Sequence, residues 1–311
     1  MRYFDCHADT LTGMKRQDDT LRNNHGDVDL ERVGAFAEVY AQIFAIWGNR
    51  AEMDREHLES EFAGMYDRAK ALLEAERERL VWCRSGEDMK LAHAAGKAAA
   101  FLSVEDVSIM GKSVEQIREL GIRFAMLTWN YENEYACGSV AGQERGLTEE
   151  GKQLAKWLLE QEIVLDVSHL SDQGVEDLLN LTDKPLIASH SNVREICRHP
   201  RNLSREQIRE LIHRNGLIGM NVYRSFVGTD PDCGVQDILR HMDVVLELGG
   251  EDVLALGADF DGCGGVFPNG IRGVQSMPYL RECMEKAGFG TALTEKIFFE
   301  NAARFVKEQV K

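Results

Sequence analysis

The chain lacks the sequence features that would place it in a membrane or in a dinucleotide-binding fold. It has no run of 18 uncharged apolar residues to span a bilayer, and its start, MRYFDCHADT, lacks the charged and then apolar pattern of a secretory leader. No GxGxxG motif follows the first apolar run, which disfavours a nucleotide-binding open sheet. Only five prolines and no Ser/Gly-rich linker interrupt the 311 residues, so we predict a single domain spanning 1–311.

The chain is also poor in basic residues and in paired cysteines, which limits the partners and the cellular compartment that we expect. The chain has 36 basic against 52 acidic residues, and its formal net charge of -16 disfavours binding to nucleic acid or to an anionic membrane. Its seven cysteines are odd in number, dispersed and without a CxxC pair, which is typical of reduced thiols rather than disulfides. We therefore predict a cytoplasmic protein without a nucleic-acid partner.

Strand-like apolar runs alternate with helical stretches along the chain, an order typical of parallel α/β folds. Eight alternations in a chain of this length predict a closed (β/α)8 TIM barrel, with an open doubly wound sheet as the alternative. The charged segment 48–97 predicts extra helices after the second strand, and Thr148, Ser171 and Ser204 are predicted helix starts. The predicted strands span 2–6, 37–47, 98–104, 122–129, 163–168, 185–189, 216–222 and 253–258.

Histidine and carboxylate side chains stand at the ends of five predicted strands. Because the carboxyl ends of the strands surround one mouth of a barrel, residues far apart in sequence would converge there. Imidazoles and carboxylates without thiolates suit zinc or a similar divalent ion. Three histidines and two carboxylates are too many for one tetrahedral ion and suit two ions bridged by a carboxylate. The expected ligands are His7, Asp9, Glu105, His169 and His190.

Hydrolysis is the chemistry that two such ions favour, because ions that share a water present hydroxide to a carbonyl or phosphoryl centre. Asp259, in the GADFDG segment after the last strand, is a candidate proton carrier, with a turn or N-cap carboxylate as the alternative. Arg201, in the loop after the sixth strand, is a candidate anion ligand, with a solvated loop arginine as the alternative. Asp261 is expected to be structural, and His241 to be an ordinary surface or satisfied histidine.

The ordered motifs CHAD, VED, LTWN, DVSH, ASHS, HPRN and GADFDG resemble those of the membrane dipeptidase family, peptidase family M19, over nearly the whole chain. The resemblance implies an amidohydrolase-like barrel that cleaves dipeptides, often with a D-residue on the C-terminal side, using two zinc ions or other divalent metals. It implies that His7 and Asp9 bind one ion and that His169 and His190 bind the other. Glu105 would bridge the two and count among the catalytic residues.

The resemblance also assigns the substrate contacts, and the chain departs from the family pattern at two places. Arg201 would bind the substrate carboxylate, and Asp259 would be the acid/base when metal-bridged hydroxide attacks the peptide carbonyl. The family usually has LTH, with a histidine near that carbonyl, where this chain has Trp129 and Asn130. We expect one of these two to bind substrate instead. Asp106 replaces a common glycine and should change the packing behind the metals.

Alternative functions remain open from the sequence. A metal-dependent amidase or lactonase would use the same barrel and the same ions. A non-catalytic, metal-stabilised barrel that binds a peptide or a partner protein is suggested by the absence of the family histidine. Retention of Glu105 and Asp259 has no evident binding rationale and favours the enzyme. Family members are often dimers, so a homodimer is expected by resemblance, whereas nothing resembles the lipid-anchor tail of the secreted animal members.

Overall fold

The computed structural model describes residues 1–14, 16–54 and 56–311, and a closed parallel barrel lies at its centre. Eight strands follow one another around the barrel, the first strand pairs with the last, and a direct pairing of the second with the fourth completes the circuit. With β3, which lies outside this circuit, the sheet has nine strands in the described residues: β1 (Arg2–Ala8), β2 (Val39–Trp47), β3 (Leu80–Trp82), β4 (Ala98–Glu105), β5 (Ile122–Met126), β6 (Val164–Asp166), β7 (Ile187–Ala188), β8 (Leu217–Met220) and β9 (Leu254–Leu256). The predicted (β/α)8 barrel is confirmed.

The short strand β3 is an addition that the sequence did not indicate. It pairs with residues 98–100 of β4, while β5 pairs with residues 102–104 on the same side. Its three residues are fewer than the four to eight that make an apolar run recognisable as a strand. Several barrel strands are also shorter than predicted, as β6 is, since the predicted strand spans 163–168 and the observed one Val164–Asp166.

Helices follow the strands and shield their outer faces. The predicted helix starts are confirmed, because the side chains of Thr148, Ser171 and Ser204 each accept a hydrogen bond from the third backbone N–H of their helix. The extra helices predicted after β2 are present at Leu58–Ala75 and Gly86–Ala94. Within the described residues, no helix combines the length and apolarity that a bilayer span requires. The helices are α1 (Thr10–Gly13), α2 (Leu30–Gly34), α3 (Leu58–Ala75), α4 (Gly86–Ala94), α5 (Glu149–Glu160), α6 (Asp172–Leu181), α7 (Arg205–His213), α8 (Arg224–Val227), α9 (Val235–Glu247), α10 (Met277–Lys286), α11 (Gly290–Glu295) and α12 (Asn301–Gln309), with 3-10 segments at Val107–Gln116 and Val274–Ser276 and a π-helical turn at Lys296–Glu300.

Apolar side chains fill the lower barrel and leave the upper part to polar groups. Phe305 and Val306 of α12 pack into the same cluster as the strand residues. Because alternate residues of a strand face the same side, Glu105 points the same way as Phe101, four residues before it. The apolar cluster in the lower barrel therefore supports the polar groups at the carboxyl ends of the strands. One residue of each barrel strand in this cluster is Phe4, Ile43, Phe101, Phe124, Val164, Ile187, Leu217 and Ala255.

Candidate metal centre and active site

A cavity of about 370 Å³ opens at the carboxyl ends of the barrel strands. Eight of the nine predicted site residues line it. The ninth, His7, is completely buried, and its Nε2 lies 3.1 Å from Oε2 of Glu105. The structure therefore brings all nine side chains together, although they come from positions spread over most of the chain. The nine are His7, Asp9, Glu105, Trp129, Asn130, His169, His190, Arg201 and Asp259.

The first group of candidate ligands lies at the end of β1. His7 Nε2 is 3.5 Å from Oδ2 of Asp9 and 4.0 Å from Oδ1 of Asp259. Beneath them, the buried carboxylate of Asp5 accepts hydrogen bonds from the backbone N–H groups of His7 and Ala258. Asp5 thus ties the end of β1 to the end of β9 and fixes the backbone that presents His7.

The second group lies across Glu105 from the first. His169 Nε2 is 2.7 Å from Glu105 Oε1 and 2.9 Å from His190 Nε2. Burial lowers the pKa of His169 to about 3 and that of His190 well below its usual value, so both rings are neutral at physiological pH. Neutral imidazole is the form that binds a metal. The two oxygens of Glu105 face the two groups, which is the placement of a bridging carboxylate.

Several buried atoms of this centre have no hydrogen-bond partner among the residues described. They are both ring nitrogens of His7, Oδ1 of Asp9 and Oε2 of Glu105. Buried polar atoms are costly unless they are satisfied, and a cation satisfies nitrogen and carboxylate oxygen alike. The donor set contains nitrogen and oxygen and no sulfur, which fits a divalent ion such as zinc. The residues present therefore fit the metal that their chemistry implies.

Arg201 is a buried cation beside the second group. It is only 3% exposed, its Nη2 donates to His169 Nε2 at 3.0 Å, and its guanidinium lies 5.4 Å from the centre of the Phe226 ring. Burial lowers its pKa to about 10, which keeps it charged at neutral pH. Nε and Nη1 have no hydrogen-bond partner in the described part of the chain. A solvated loop arginine is therefore the wrong interpretation, and the site offers two free donors to an anion.

Asp259 stands opposite the first group on a strained turn. Its φ angle is +62°, and its Oδ2 accepts a hydrogen bond of 2.9 Å from Nδ2 of Asn221. Burial raises the pKa of Asp259 to about 7. Asp261 lies further along the same turn and is satisfied by Thr10 Oγ1 and by the backbone N–H of Asp27. Asp261 thus joins two loops, as expected for a structural residue.

Trp129 and Asn130 have different surroundings at the cavity wall. The Trp129 ring packs against Trp47, with 5.2 Å between centroids, and against Tyr131 at 5.5 Å. Asn130 places Oδ1 3.1 Å from Nδ1 of His169, so its amide oxygen accepts from a candidate metal ligand. Trp129 therefore belongs to an aromatic wall, and Asn130 orients His169.

Asp106 has a function that a glycine could not supply. Its φ angle is +75°, a conformation that glycine adopts without strain. Its Oδ1 accepts hydrogen bonds from the backbone N–H of Ser108 at 3.0 Å and from Nδ2 of Asn133 at 2.8 Å. Asp106 thereby connects the end of β4, which carries Glu105, to the loop after β5.

Sequence reasoning missed Asn221, which contacts Asp259, and three residues that line the cavity. Asn221 directly follows β8 and Trp47 ends β2, so both stand at strand ends. Their position at strand ends is the signal in the sequence that identifies them, provided that amide and indole side chains are considered as well as charged ones. Tyr223 and Phe226 line the cavity from the region of α8, and no periodicity or motif pointed to them.

Comparisons with known proteins agree with this architecture. A family model described as membrane dipeptidase, peptidase family M19, matches residues 1–311. The crystal structure of a metallopeptidase from Rhodobacter sphaeroides, liganded with a phosphinate mimic of the dipeptide L-Ala-D-Ala, covers 100% of this chain and 99% of its own, with a TM-score of 0.88 and 25% identity. The structure of a dipeptidase AC, a metallopeptidase of family M19, has the same coverage and TM-score at 26% identity.

Relatives among protein sequences include a named dipeptidase and an uncharacterized bacterial protein. The Dipeptidase tcpJ of Claviceps purpurea is 26% identical over 251 residues, which are 78% of this chain and 58% of that protein. An uncharacterized protein in the pqqA 5' region of Klebsiella pneumoniae is 30% identical over 207 residues, 63% of this chain and 76% of that protein. Because the family model spans the whole chain and the barrel superposes on family members throughout, this protein belongs to the membrane dipeptidase family, peptidase family M19, and is a metallo-dipeptidase by class.

Proposed function

We propose that this protein hydrolyses dipeptides with two zinc ions at the mouth of the barrel. His7 and Asp9 hold one ion, His169 and His190 hold the other, and Glu105 contacts both. The observation that carries the proposal is the position of Glu105, whose two oxygens lie 3.1 Å from His7 Nε2 and 2.7 Å from His169 Nε2. A buried carboxylate between two sets of histidine nitrogen donors suits a pair of cations better than one.

The residues around the ions supply substrate binding and proton transfer. Bound zinc would lower the pKa of a water molecule and polarise the scissile carbonyl. Arg201, with two free buried donors, binds the C-terminal carboxylate of the dipeptide. Asp259 accepts a proton from the attacking water and donates it to the departing amine. A carboxyl group with a pKa of about 7 is suited to both transfers. The L-Ala-D-Ala mimic in the Rhodobacter sphaeroides structure supports a substrate with a D-residue in second position.

Metal content and turnover test this proposal together. Protein purified without chelator is analysed for metals, and amino acids released from a panel of L,L and L,D dipeptides are measured beside acyl amino acids and lactones. We expect about two zinc ions per chain and cleavage that chelation abolishes and zinc restores. Metal-free protein that zinc cannot activate would overturn the proposal. Cleavage confined to lactones or to substrates without a carboxylate would support the amidase or lactonase alternative.

Replacement of Asp259 by asparagine separates proton transfer from metal binding. Asparagine keeps the size and the hydrogen bond to Asn221 but cannot exchange a proton near neutral pH. We expect Asp259→Asn to retain both zinc ions and to lose roughly 10²- to 10⁴-fold in kcat. Unchanged kcat would remove Asp259 from the mechanism, and loss of zinc would make it a ligand.

We also propose a cytoplasmic location and a homodimer. The location is supported by seven cysteines that are all buried and unpaired, since oxidising compartments favour disulfides. The dimer is proposed from the family resemblance, and sedimentation of the purified protein measures it directly.

A further inference from the structure

A chain of hydrogen bonds runs from a buried carboxylate at the end of β6 to the outer nitrogen of His190. Asp166 Oδ1 accepts from the hydroxyl of Ser168 at 2.6 Å. The Ser168 and Ser189 hydroxyl oxygens lie 3.3 Å apart, and Ser189 Oγ lies 2.8 Å from Nδ1 of His190. All four side chains are at most 2% exposed. We name Asp166, Ser168 and Ser189 the serine relay.

With Asp166 ionised, proton counting gives one direction for the bonds of the serine relay, and this is the direction we infer. An ionised carboxylate only accepts, so the single hydroxyl proton of Ser168 goes to Asp166. Ser168 Oγ then has only lone pairs left to offer Ser189, and in the arrangement we infer the hydroxyl proton of Ser189 points to it across 3.3 Å. Ser189 Oγ in turn accepts from His190, so the proton of that ring is on Nδ1. Nε2 of His190 is left with a lone pair directed at the metal-binding atoms.

Backbone donors hold the serine relay in place from both strands. Asp166 Oδ1 also accepts from the N–H of Ser168 at 2.9 Å and from the N–H of Ser189 at 3.2 Å. The N–H of His190 donates to Ser168 Oγ at 3.2 Å. The ends of β6 and β7 are thus tied together at the point where each presents a histidine, and the imidazole cannot turn without breaking the series.

We propose that the serine relay is a positioning device that fixes the tautomer and the orientation of His190 and thereby sets the affinity of the second metal site. The proposal rests on the proposed function, because it takes His190 as a metal ligand. His169 is held differently, since its Nδ1 meets the amide of Asn130. An amide can present either oxygen or nitrogen, so it does not enforce one tautomer as a carboxylate does. The relay therefore makes His190 the more strictly specified of the two ligands.

Ser189→Ala is the direct test, and Ser191→Ala is its matched control. Ser191 flanks His190 on the other side, is also fully buried, and its Oγ has no hydrogen-bond partner in the described residues. The affinity of metal-free protein for zinc is measured by competition with a chromophoric chelator. We expect Ser189→Ala to weaken binding of one zinc ion about 10- to 100-fold and Ser191→Ala to leave both affinities unchanged. Equal zinc affinities in Ser189→Ala and in the unmodified protein would overturn the proposal.

A tautomer measurement separates the serine relay from the proposed function. Nitrogen chemical shifts of the labelled histidine rings are recorded on the zinc-free protein, where the relay predicts a proton on Nδ1 of His190. Ser189→Ala should remove this preference, and a persistent Nδ1 proton would contradict the relay. If the unmodified protein bound no zinc, the proposed function would fail while this measurement still reported on the relay.

A double-mutant cycle distinguishes transmission through the relay from a merely structural effect. Asp166→Asn should weaken zinc binding when Ser189 is present and have little further effect in the Ser189→Ala background. Additive losses in the double variant would show that Asp166 acts only on the fold. If Asp166→Asn does not fold, Ser168→Ala replaces it in the cycle, because Ser168 is the residue of the series that connects Asp166 to Ser189.

Discussion

Arg201 shows at the scale of one residue how burial can leave a charged group with free hydrogen-bond donors. Water satisfies the donors of an exposed guanidinium. A buried guanidinium with two free donors instead favours an anionic ligand that accepts from both. The sequence shows only an arginine in a loop. Its burial arises because the loop after β7 folds inward and places the side chain against His169 and Phe226.

Removal of this guanidinium should affect only substrates that carry a carboxylate. We expect Arg201→Met to lower kcat/KM for dipeptides by about 10- to 150-fold, the loss of one or two hydrogen bonds to a charged group. C-terminally amidated dipeptides, which offer no carboxylate, should be poor substrates for both forms. Their kcat/KM should fall little further in Arg201→Met. A similar loss for acids and amides would show that Arg201 stabilises the centre rather than the substrate.

His241 is a neutral histidine whose protonation opposes folding. It is completely buried, its Nδ1 accepts from the backbone N–H of Val193 at 3.0 Å, and its Nε2 donates to the carbonyl of Val227 at 2.9 Å. Burial lowers its pKa to about 4. The unfolded chain, with a histidine pKa of about 6.5, therefore binds more protons between pH 6.5 and 4.

We expect the contribution of His241 to stability to be complete above about pH 6.5 and to decrease as the pH falls towards 4. The full effect is on the order of 3 kcal/mol. Urea unfolding of the unmodified protein and of His241→Gln at several pH values measures it. The difference between their free energies of unfolding should shrink in acid, and a constant difference would be inconsistent with a neutral folded histidine.

At the scale of elements, two glycines let strands β7, β8 and β9 meet closely beneath the metal centre. A Cβ atom on Gly219 would lie 2.0 Å from the carbonyl oxygen of Ser189, and one on Gly257 would lie 1.7 Å from the same atom. Glycine is required at both positions because there is no room for a Cβ atom, and not because the backbone angle is unusual. The close approach holds Ser189 at the base of the loop that presents His190.

Gly257→Ala should therefore be strongly destabilising, by about 3 kcal/mol or more, because a backbone carbonyl cannot move aside cheaply. We also expect weaker zinc binding, since the end of β7 must shift. Gly64→Ala is the matched control, on an exposed face of α3 with open space around its Cα. That control should gain about 0.5–1 kcal/mol of stability. Chemical unfolding and zinc titration measure both variants, and near-equal stabilities would refute the packing argument.

At the scale of the whole molecule, the barrel buries all seven cysteines without pairing them. Burial raises the pKa of Cys83 to about 12 and that of Cys233 to about 11, so almost no reactive thiolate forms at neutral pH. We expect a thiol reagent to modify fewer than one group per folded chain and all seven after denaturation. Several rapidly reacting thiols in the folded protein would contradict this packing.

The sequence alone determined the barrel and the identity of the candidate ligands. Alternating strands and helices, Ser/Thr helix starts and ligand-type side chains at strand ends are local patterns, and each depends only on neighbours along the chain. Parallel strands bring their carboxyl ends to one mouth whatever their exact lengths. His7, Glu105 and His190 could therefore be placed together before any distance was known.

Only the tertiary structure decided the chemistry between these residues. The position of Glu105 between His7 and His169, the free donors of Arg201, the hydrogen bond from Asn221 to Asp259 and the contacts of the serine relay all depend on distances across different strands. Strand β3 was missed because three residues carry too weak a local signal. Burial, which shifts pKa values and leaves polar atoms unpaired, arises from the packing of the whole chain and has no counterpart in a local pattern.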